Sequence, residues 1–170
     1  MNSGSYQIVK VSSAQLQELR ELSISTFVDT FSKANNPENI EAYLAKALNE
    51  NQLRAELANP DSFFYFIQNE GKTLGYLKIN TKKAQTDHVL DNALEIERIY
   101  VIKTEQGKGI GKQLLQLALE EARKRSLLCI WLGVWERNEK AIAFYQHHGF
   151  EVFADHPFKL GDDLQRDLLM

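Results

Sequence analysis

The sequence predicts a single α/β domain spanning residues 1–170, a mixed central sheet flanked by helices. Three observations predict it. Strand-like and helix-like segments alternate through the second half, the pattern of strand–helix–strand crossovers. The nearly continuous apolar run Leu127–Val134 reads as a strand buried on both faces. Finally, Glu97–Gly111, E-R-I-Y-V-I-K-T-E-Q-G-K-G-I-G, passes from an apolar strand through a polar turn into an amphipathic segment opened by glycines 107, 109 and 111.

The elements follow in order. Tyr6–Val11 is a short strand, and Ser12 with Gln15 forms a capping-box pattern for a helix carrying Leu16, Leu19, Leu22, Phe27 and Phe31. Pro37 suits the first turn of a second helix capped by Asn36, with Ile40, Tyr43, Leu44 and Leu48 apolar. A helical piece over 50–58 ends at Asn59-Pro60-Asp61. Strands Phe63–Gln68 and Thr73–Thr81 flank the turn Glu70-Gly71-Lys72, and 82–92 is a loop. Ala93–Ile102 is a strand, 109–125 a helix, and Leu127–Val134 the buried strand. Asn138–His148 is a helix stopped by Gly149 in a left-handed conformation. Phe150–Phe153 begins another strand, and Leu164–Met170 is the last. The order is β-αα(α)-βββ-α-β-α-ββ, with a parallel crossover expected around 97–134.

Composition excludes several functions. A net charge of −3 supplies no broad basic field for nucleic acid. The densest basic run, Arg123-Lys124-Arg125, falls in a last helical turn, where cations complement the helix dipole. Cys129 is the one cysteine, so there is no disulfide framework or thiolate metal set. Histidines 88, 147, 148 and 156 lack metal-ligand spacing, and the adjacent pair suits surface or packing positions. No metal is expected. Without a leader-like N-terminus or a long apolar run, the chain reads as cytoplasmic and not membrane-bound. A monomer or a homodimer fits equally.

The glycine loop carries the first chemical signal. Strand, glycine loop and helix offer bare backbone N–H groups and a helix N-terminus to a pyrophosphate, and a Cβ would block that approach. Gln113 follows Gly111-Lys112, and no glycine stands at 106, so the P-loop pattern fails. The dinucleotide spacing G-x-G-x-x-G fails too. What remains is Q-x-x-G-x-G over Gln106–Gly111, which fits a phosphate site or a flexible loop ahead of a helix. About 25 residues on comes W-E-R-N-E-K-A-I-A-F-Y-Q-H-H-G-F, Trp135–Phe150. Taken singly, Asn138 is a helix cap, Tyr145 a core aromatic and Gly149-Phe150 a helix stop.

Together the two segments resemble the GNAT superfamily of N-acetyltransferases. Its acetyl-CoA loop is matched by Gln106–Gly111, and its N-x-x-A-x-x-F-Y-x-x-x-G-F pattern by Asn138, Ala141, Phe144, Tyr145, Gly149 and Phe150. The resemblance covers nearly the whole chain and implies a GNAT-like domain. Segments 23–31, 36–44, 94–101 and 130–145 also look like the bacterial PaiA-type polyamine N-acetyltransferases. That likeness implies direct acetyl transfer from acetyl-CoA, as co-substrate, to spermidine or spermine. Alternatives are another amine (a protein N-terminus, a lysine or an aminoglycoside) or a regulatory module that binds coenzyme A without turnover.

The resemblance also implies roles. Ile99, Tyr100 and Val101 would pair with the pantetheine arm, with a strand N–H there meeting the tetrahedral oxyanion. Gln106, Gly107, Lys108, Gly109, Ile110, Gly111 and Lys112 would hold the pyrophosphate, and Asn138 would contact the cofactor. Tyr145 would be the general acid, since its pKa of ~10 lies near the ~8.5 of the departing thiol. A primary amine of pKa ~10.4 costs roughly 4–5 kcal/mol to deprotonate at neutral pH. Glu97 is the candidate base, raised by burial or acting through ordered water, and the alternatives are pairing with a neighbouring cation or only binding the substrate ammonium. Simple alternation places Glu95, Glu97, Ile99 and Val101 on one face of the strand, and Ile96, Arg98 and Tyr100 on the other. A polyamine needs spaced carboxylates or aromatic faces, and Asp29, Glu38, Glu41 and Glu136 are the acidic candidates.

Overall fold

The helices begin where the sequence places their caps. In the structure, a computed structural model describing residues 6–170, strand β1 (Gln7–Lys10) leads to Ser12, whose backbone N–H donates to Gln15 Oε1 at 3.0 Å. A short 3-10 turn then enters α1 (Leu16–Phe31). Asn36 caps α2 (Pro37–Ala47), accepting the Glu38 N–H at 2.9 Å, and Asn49 caps α3 (Glu50–Ala58), accepting the Gln52 N–H at 2.8 Å. Each cap satisfies a donor that the first helical turn leaves free. Residues 1–5 of the expected domain lie outside the described residues.

Seven strands form one mixed sheet in the order β1-β2-β3-β4-β5-β7-β6. β2 (Ser62–Asn69), β3 (Lys72–Thr81) and β4 (Ala93–Val101) run antiparallel in succession. α4 (Ile110–Lys124) carries the chain to β5 (Cys129–Trp135), which lies parallel to β4 as expected. After α5 (Glu139–His147) the hairpin of β6 (Ala154–Leu160) and β7 (Asp163–Leu169) completes the sheet, β7 against β5.

Two strand boundaries differ from expectation. The expected start of a strand at Phe150–Phe153 is irregular chain, and β6 begins at Ala154. A-D-H-P-F-K-L lacks the β-branched, alternating pattern that marks a strand, and Pro157 argues against one. Pro157 is tolerated because β6 is an edge strand. Likewise Leu127 and Leu128 precede β5: Leu128 is 82% exposed, its N–H donating to Asn92 O at 2.8 Å.

Helices cover both faces. α4 and α5 bury Ile110, Leu114, Leu115, Ala118 and Tyr145 against Leu77, Ile79, Leu94, Ile96, Leu132 and Val134. On the other face α1 sets Leu19 and Leu22 against Phe64, Phe66 and Tyr76, while Phe27, Ile40, Leu48 and Leu53 join α1, α2 and α3 to Leu160 of the hairpin. The tip of the hairpin is tied to α2, Asn39 Oδ1 accepting the Asp162 N–H at 3.1 Å.

The pairing of β4 sets up the site. Against β3, Arg98 pairs with Lys78 but Ile96 pairs with Ile79, so Glu97 is an extra residue, a β-bulge. The bulge overturns simple alternation: Leu94, Ile96, Ile99 and Val101 all belong to the α4 face, and Tyr100 packs with the α1 cluster. β4 and β5 pair only from Ala93↔Cys129 to Ile96↔Leu132. Beyond that point β5 keeps only β7, on its other edge, through Gly133↔Leu169, Val134↔Leu168 and Trp135↔Asp167. The two strands part, and the β5-facing edge of β4 is left without a strand partner.

One close approach fixes the far end of β4. A Cβ at Gly75 would stand 2.5 Å from Tyr100 O and 3.2 Å from Val101 Cα, so only glycine fits. Gly75→Ala is expected to destabilise the fold by about 1–3 kcal/mol, the cost of overpacking a backbone contact, read from urea denaturation.

Candidate active site

A cleft of about 900 Å³ occupies the gap between β4 and β5. On one side it is lined by the α4 N-terminus and α5, on the other by α1, α2 and the β6–β7 hairpin. The two halves differ in chemistry.

The first half suits an extended anionic ligand. Gly107 and Gly109 adopt φ of +81° and +84°, where only glycine is unstrained, and a Cβ on either would meet nothing within 4 Å. The glycines are therefore required first for loop conformation, and the space beside them is open. Gly109 caps α4, whose first N–H groups lack intrahelical acceptors. Gln106, Gly107, Gly109, Gly111 and Lys112 line the cleft. Lys108 and Ile110 do not: Lys108 pairs with Glu105 at 3.0 Å, and Ile110 is buried in the core. Two cations that the sequence reading did not single out, Lys103 and Lys140, line the same half, and Lys140 Nζ donates to Gln106 Oε1 at 2.9 Å. Ile99, Tyr100 and Val101 present the unpaired edge of β4 along the cleft wall.

Asn138 combines both readings, accepting the Ala141 N–H at 3.2 Å as the α5 cap while lining the cleft. Tyr145 is buried between Phe144 and Phe150 and faces the cleft, and burial alone pushes its hydroxyl up. His147 and His148, expected at surface or packing positions, also line this end, and His148 Nδ1 lies 2.8 Å from Phe144 O.

Glu97 lines the cleft and is also tied into a buried ion network. It is paired with Lys78, its Oε1 lies 3.4 Å from Arg98, and its Oε2 accepts from Asn80 at 2.6 Å. Glu56 of α3 closes the network, 3.0 Å from Lys78 and 2.9 and 3.3 Å from the two terminal nitrogens of Arg98. Flanking cations hold the Glu56 carboxyl below the usual range against the effect of burial. Glu95, two residues earlier, is more deeply buried and accepts from Asn80 at 3.0 Å and from the Thr86 N–H at 2.8 Å. Desolvation pushes its carboxyl up. Alternation put Glu95 on the same face as Glu97, and nothing local to the sequence distinguishes Glu95 until Asn80 and Thr86 are brought beside it.

The second half is aromatic. Phe27 stacks on Tyr43 with ring centres 4.4 Å apart, Phe31 meets Trp135 at 5.6 Å, and Tyr43 meets Phe158 at 5.8 Å. Of the four carboxylates suggested for substrate, Asp29 lies on the rim of this cavity. Glu38 sits exposed in the first turn of α2, Glu41 is exposed on the same helix, and Glu136 is paired with Arg166 at 2.9 Å; none of the three lines the cleft. Asp167 of β7, which the sequence reading passed over, does line it, and burial pushes its carboxyl up to about 6. Its signal was absent because R-D-L-L reads only as strand. Among the described residues no group of three or more His, Cys, Asp or Glu side chains is gathered for a metal, and no helix is long and apolar enough to cross a membrane.

A parted β4–β5 pair, a glycine-capped helix N-terminus and a buried tyrosine on α5 meet in one cleft with an end suited to an anion. Comparison with known proteins agrees: the sequence profile of the Acetyltransferase (GNAT) family matches residues 16–150, and the chain belongs to that family. It is 48% identical over 164 residues to an "Uncharacterized N-acetyltransferase in pepI 3'region" of Lactobacillus delbrueckii subsp. lactis, covering 96% of this chain and 95% of that one. It is 25% identical to a spermidine N(1)-acetyltransferase of Thermoplasma acidophilum, over 87% of this chain and 89% of the relative. The crystal structure of the PaiA N-acetyltransferase of Thermoplasma acidophilum in complex with coenzyme A shares the fold, with a TM-score of 0.76, 23% identity, and coverage of 96% and 99%. The chain is thus an N-acetyltransferase using acetyl-CoA as co-substrate, and the open space beside Gly107 and Gly109, the helix N-terminus and Lys103, Lys112 and Lys140 suit a pyrophosphate.

Gly109→Glu is expected to abolish acetyl-CoA binding in a calorimetric titration, by strain at positive φ and by charge repulsion; unchanged affinity would refute the loop assignment. Asp167 gives a second prediction. Its folded pKa of about 6 lies above the ~3.9 of an unfolded aspartate, so ionising it costs the native state stability as pH rises from ~4 through about 6. Asp167→Asn should stabilise the protein by on the order of 2 kcal/mol at pH 7 and have no effect near pH 4, as read from denaturation at both pH values.

Proposed function

We propose that this protein transfers the acetyl group of acetyl-CoA to a primary amine of a polyamine, spermidine or spermine. The observation that carries the reading is the second half of the cleft, where aromatic faces stand with the carboxylates of Asp29 and Asp167. A chain of ammonium groups is recognised by that combination of π faces and spaced anions. The similarity to the spermidine relative supports the same class.

Acetyl transfer needs a neutral amine and a protonated thiol. Glu97 is held by Lys78 and Arg98 rather than isolated in an apolar pocket, which favours removal of the amine proton through an ordered water over direct abstraction. Tyr145 is the proton donor. Burial keeps its hydroxyl protonated, so it gives up the proton only as negative charge develops on the leaving sulfur beside it. The free edge of β4 at Ile99–Val101 supplies backbone N–H groups toward the reacting carbonyl.

An acceptor panel of spermidine, spermine, an N-terminal peptide, a lysine peptide and an aminoglycoside, assayed with acetyl-CoA, tests the substrate. Turnover is expected with the polyamines, and turnover confined to another acceptor sinks the assignment. Tyr145→Phe is expected to lower kcat by roughly 10²–10⁴ with acetyl-CoA affinity and fold intact. An effect on affinity alone would favour a module that binds coenzyme A without catalysis.

A further inference from the structure

One partly buried carboxylate of the cleft, that of Asp167, accepts no hydrogen bond. Glu97 and Glu95 are both saturated, the first by Lys78, Arg98 and Asn80, the second by Asn80 and Thr86. Around Asp167, among the described residues, no donor comes within hydrogen-bond distance. Its nearest basic side chain is His156 on β6, with Nε2 at 3.9 Å, and that ring turns its Nδ1 toward Asp87 at 3.5 Å. The Asp167 side chain is nonetheless 17% exposed. A carboxylate drawn this far from water without compensating donors is costly, and the raised pKa registers the cost.

Its position gives the cost a use. Asp167 pairs with Trp135, and its Oδ2 lies 3.6 Å from where a Cβ on Gly133 would stand. Gly133 is the first residue of β5 past the last β4–β5 pair, so the carboxylate lies beside the point where the strands part. Tyr43, Trp135 and Phe158 line the cavity on this side.

We propose that Asp167 is the anchoring site for an ammonium group of the acceptor, with Tyr43, Trp135 and Phe158 forming the aromatic part of a cage for a primary alkylammonium. The proposal rests on the amine-acetyltransferase reading of this cleft and adds where the cation is held. An ammonium brings three donors to a carboxylate that has none, and its positive charge favours the aromatic faces. Gly133 matters because it leaves the space beside the carboxylate unfilled.

The test is calorimetric titration of the full chain, in the presence of coenzyme A, with spermidine and separately with n-butylammonium. The wild type is expected to bind both. Asp167→Asn should weaken both by about 10–100-fold, the range of a charged hydrogen-bonded contact, with acetyl-CoA affinity unchanged and thermal stability not lowered. Asp167→Glu should restore part of the affinity. Gly133→Val, which keeps the carboxylate but fills the space beside it, should weaken amine binding in the same way. Wild-type protein that binds neither amine, or Asp167→Asn and Gly133→Val proteins that bind them as wild type does, would overturn the anchor. Turnover is read separately. Ammonium binding lost in Asp167→Asn, with no polyamine acetylated, keeps the anchor and removes the substrate assignment. Spermidine turnover with an unaltered KM in Asp167→Asn does the reverse.

Discussion

The parting of β4 from β5 beyond Ile96 and Leu132 is the constraint on which the rest of the structure depends. Two paired strands would close the sheet and leave no cleft. Their separation exposes one edge of β4 for a ligand backbone, while β7, on the far edge of β5, sets Asp167 beside Gly133. The bulge at Glu97 occurs at the same level as the parting, and bulges bend a strand and sharpen its twist. Site and bulge are therefore one feature of the backbone, and the extra residue that bends the strand is itself the cleft-lining carboxylate.

A bent strand with an unpaired edge needs support from elsewhere, and the buried charges provide it. Lys78 on β3, Glu97 and Arg98 on β4, and Glu56 on α3 join three elements around the bulge. Such a network is not a large net source of stability, because desolvation offsets much of the attraction, but losing one member leaves an uncompensated buried charge. Its directional bonds fix where Glu97 points. Asp167 shows the contrary arrangement, a carboxylate kept unsatisfied at a cost to the fold, as functional groups often are.

Much of this was legible in the sequence, for reasons that can be named. Caps at Ser12, Asn36 and Asn138 and the glycines at 107 and 109 act through local backbone geometry, so local sequence reveals them. The end of the cleft beside the glycine loop is built from such local pieces, and Gln106, Gly107, Gly109, Gly111, Lys112 and Asn138 line it, whereas Lys108 and Ile110 do not. The aromatic half is assembled from residues far apart in the chain. Phe27, Tyr43, Trp135 and Asp167 carry no shared spacing, and only the sheet order brings them together. β6 was displaced in the reading because an edge strand tolerates Pro157 and has no need of an apolar pattern. The faces of β4 were misread because a bulge is a long-range event: alternation holds within a regular strand, and nothing near Glu97 announces the extra residue.

The aromatic lining has one more consequence. The chain contains two tryptophans, Trp131 and Trp135, and both face the cleft from β5. Trp131 is held by Gln85 through a 2.8 Å hydrogen bond from its indole N–H, and Trp135 packs on Phe31. The whole indole emission of the protein therefore originates in the wall of this one cavity. The enzyme carries its own optical reporter, and filling of the cavity can be followed in the unlabelled, unmodified chain.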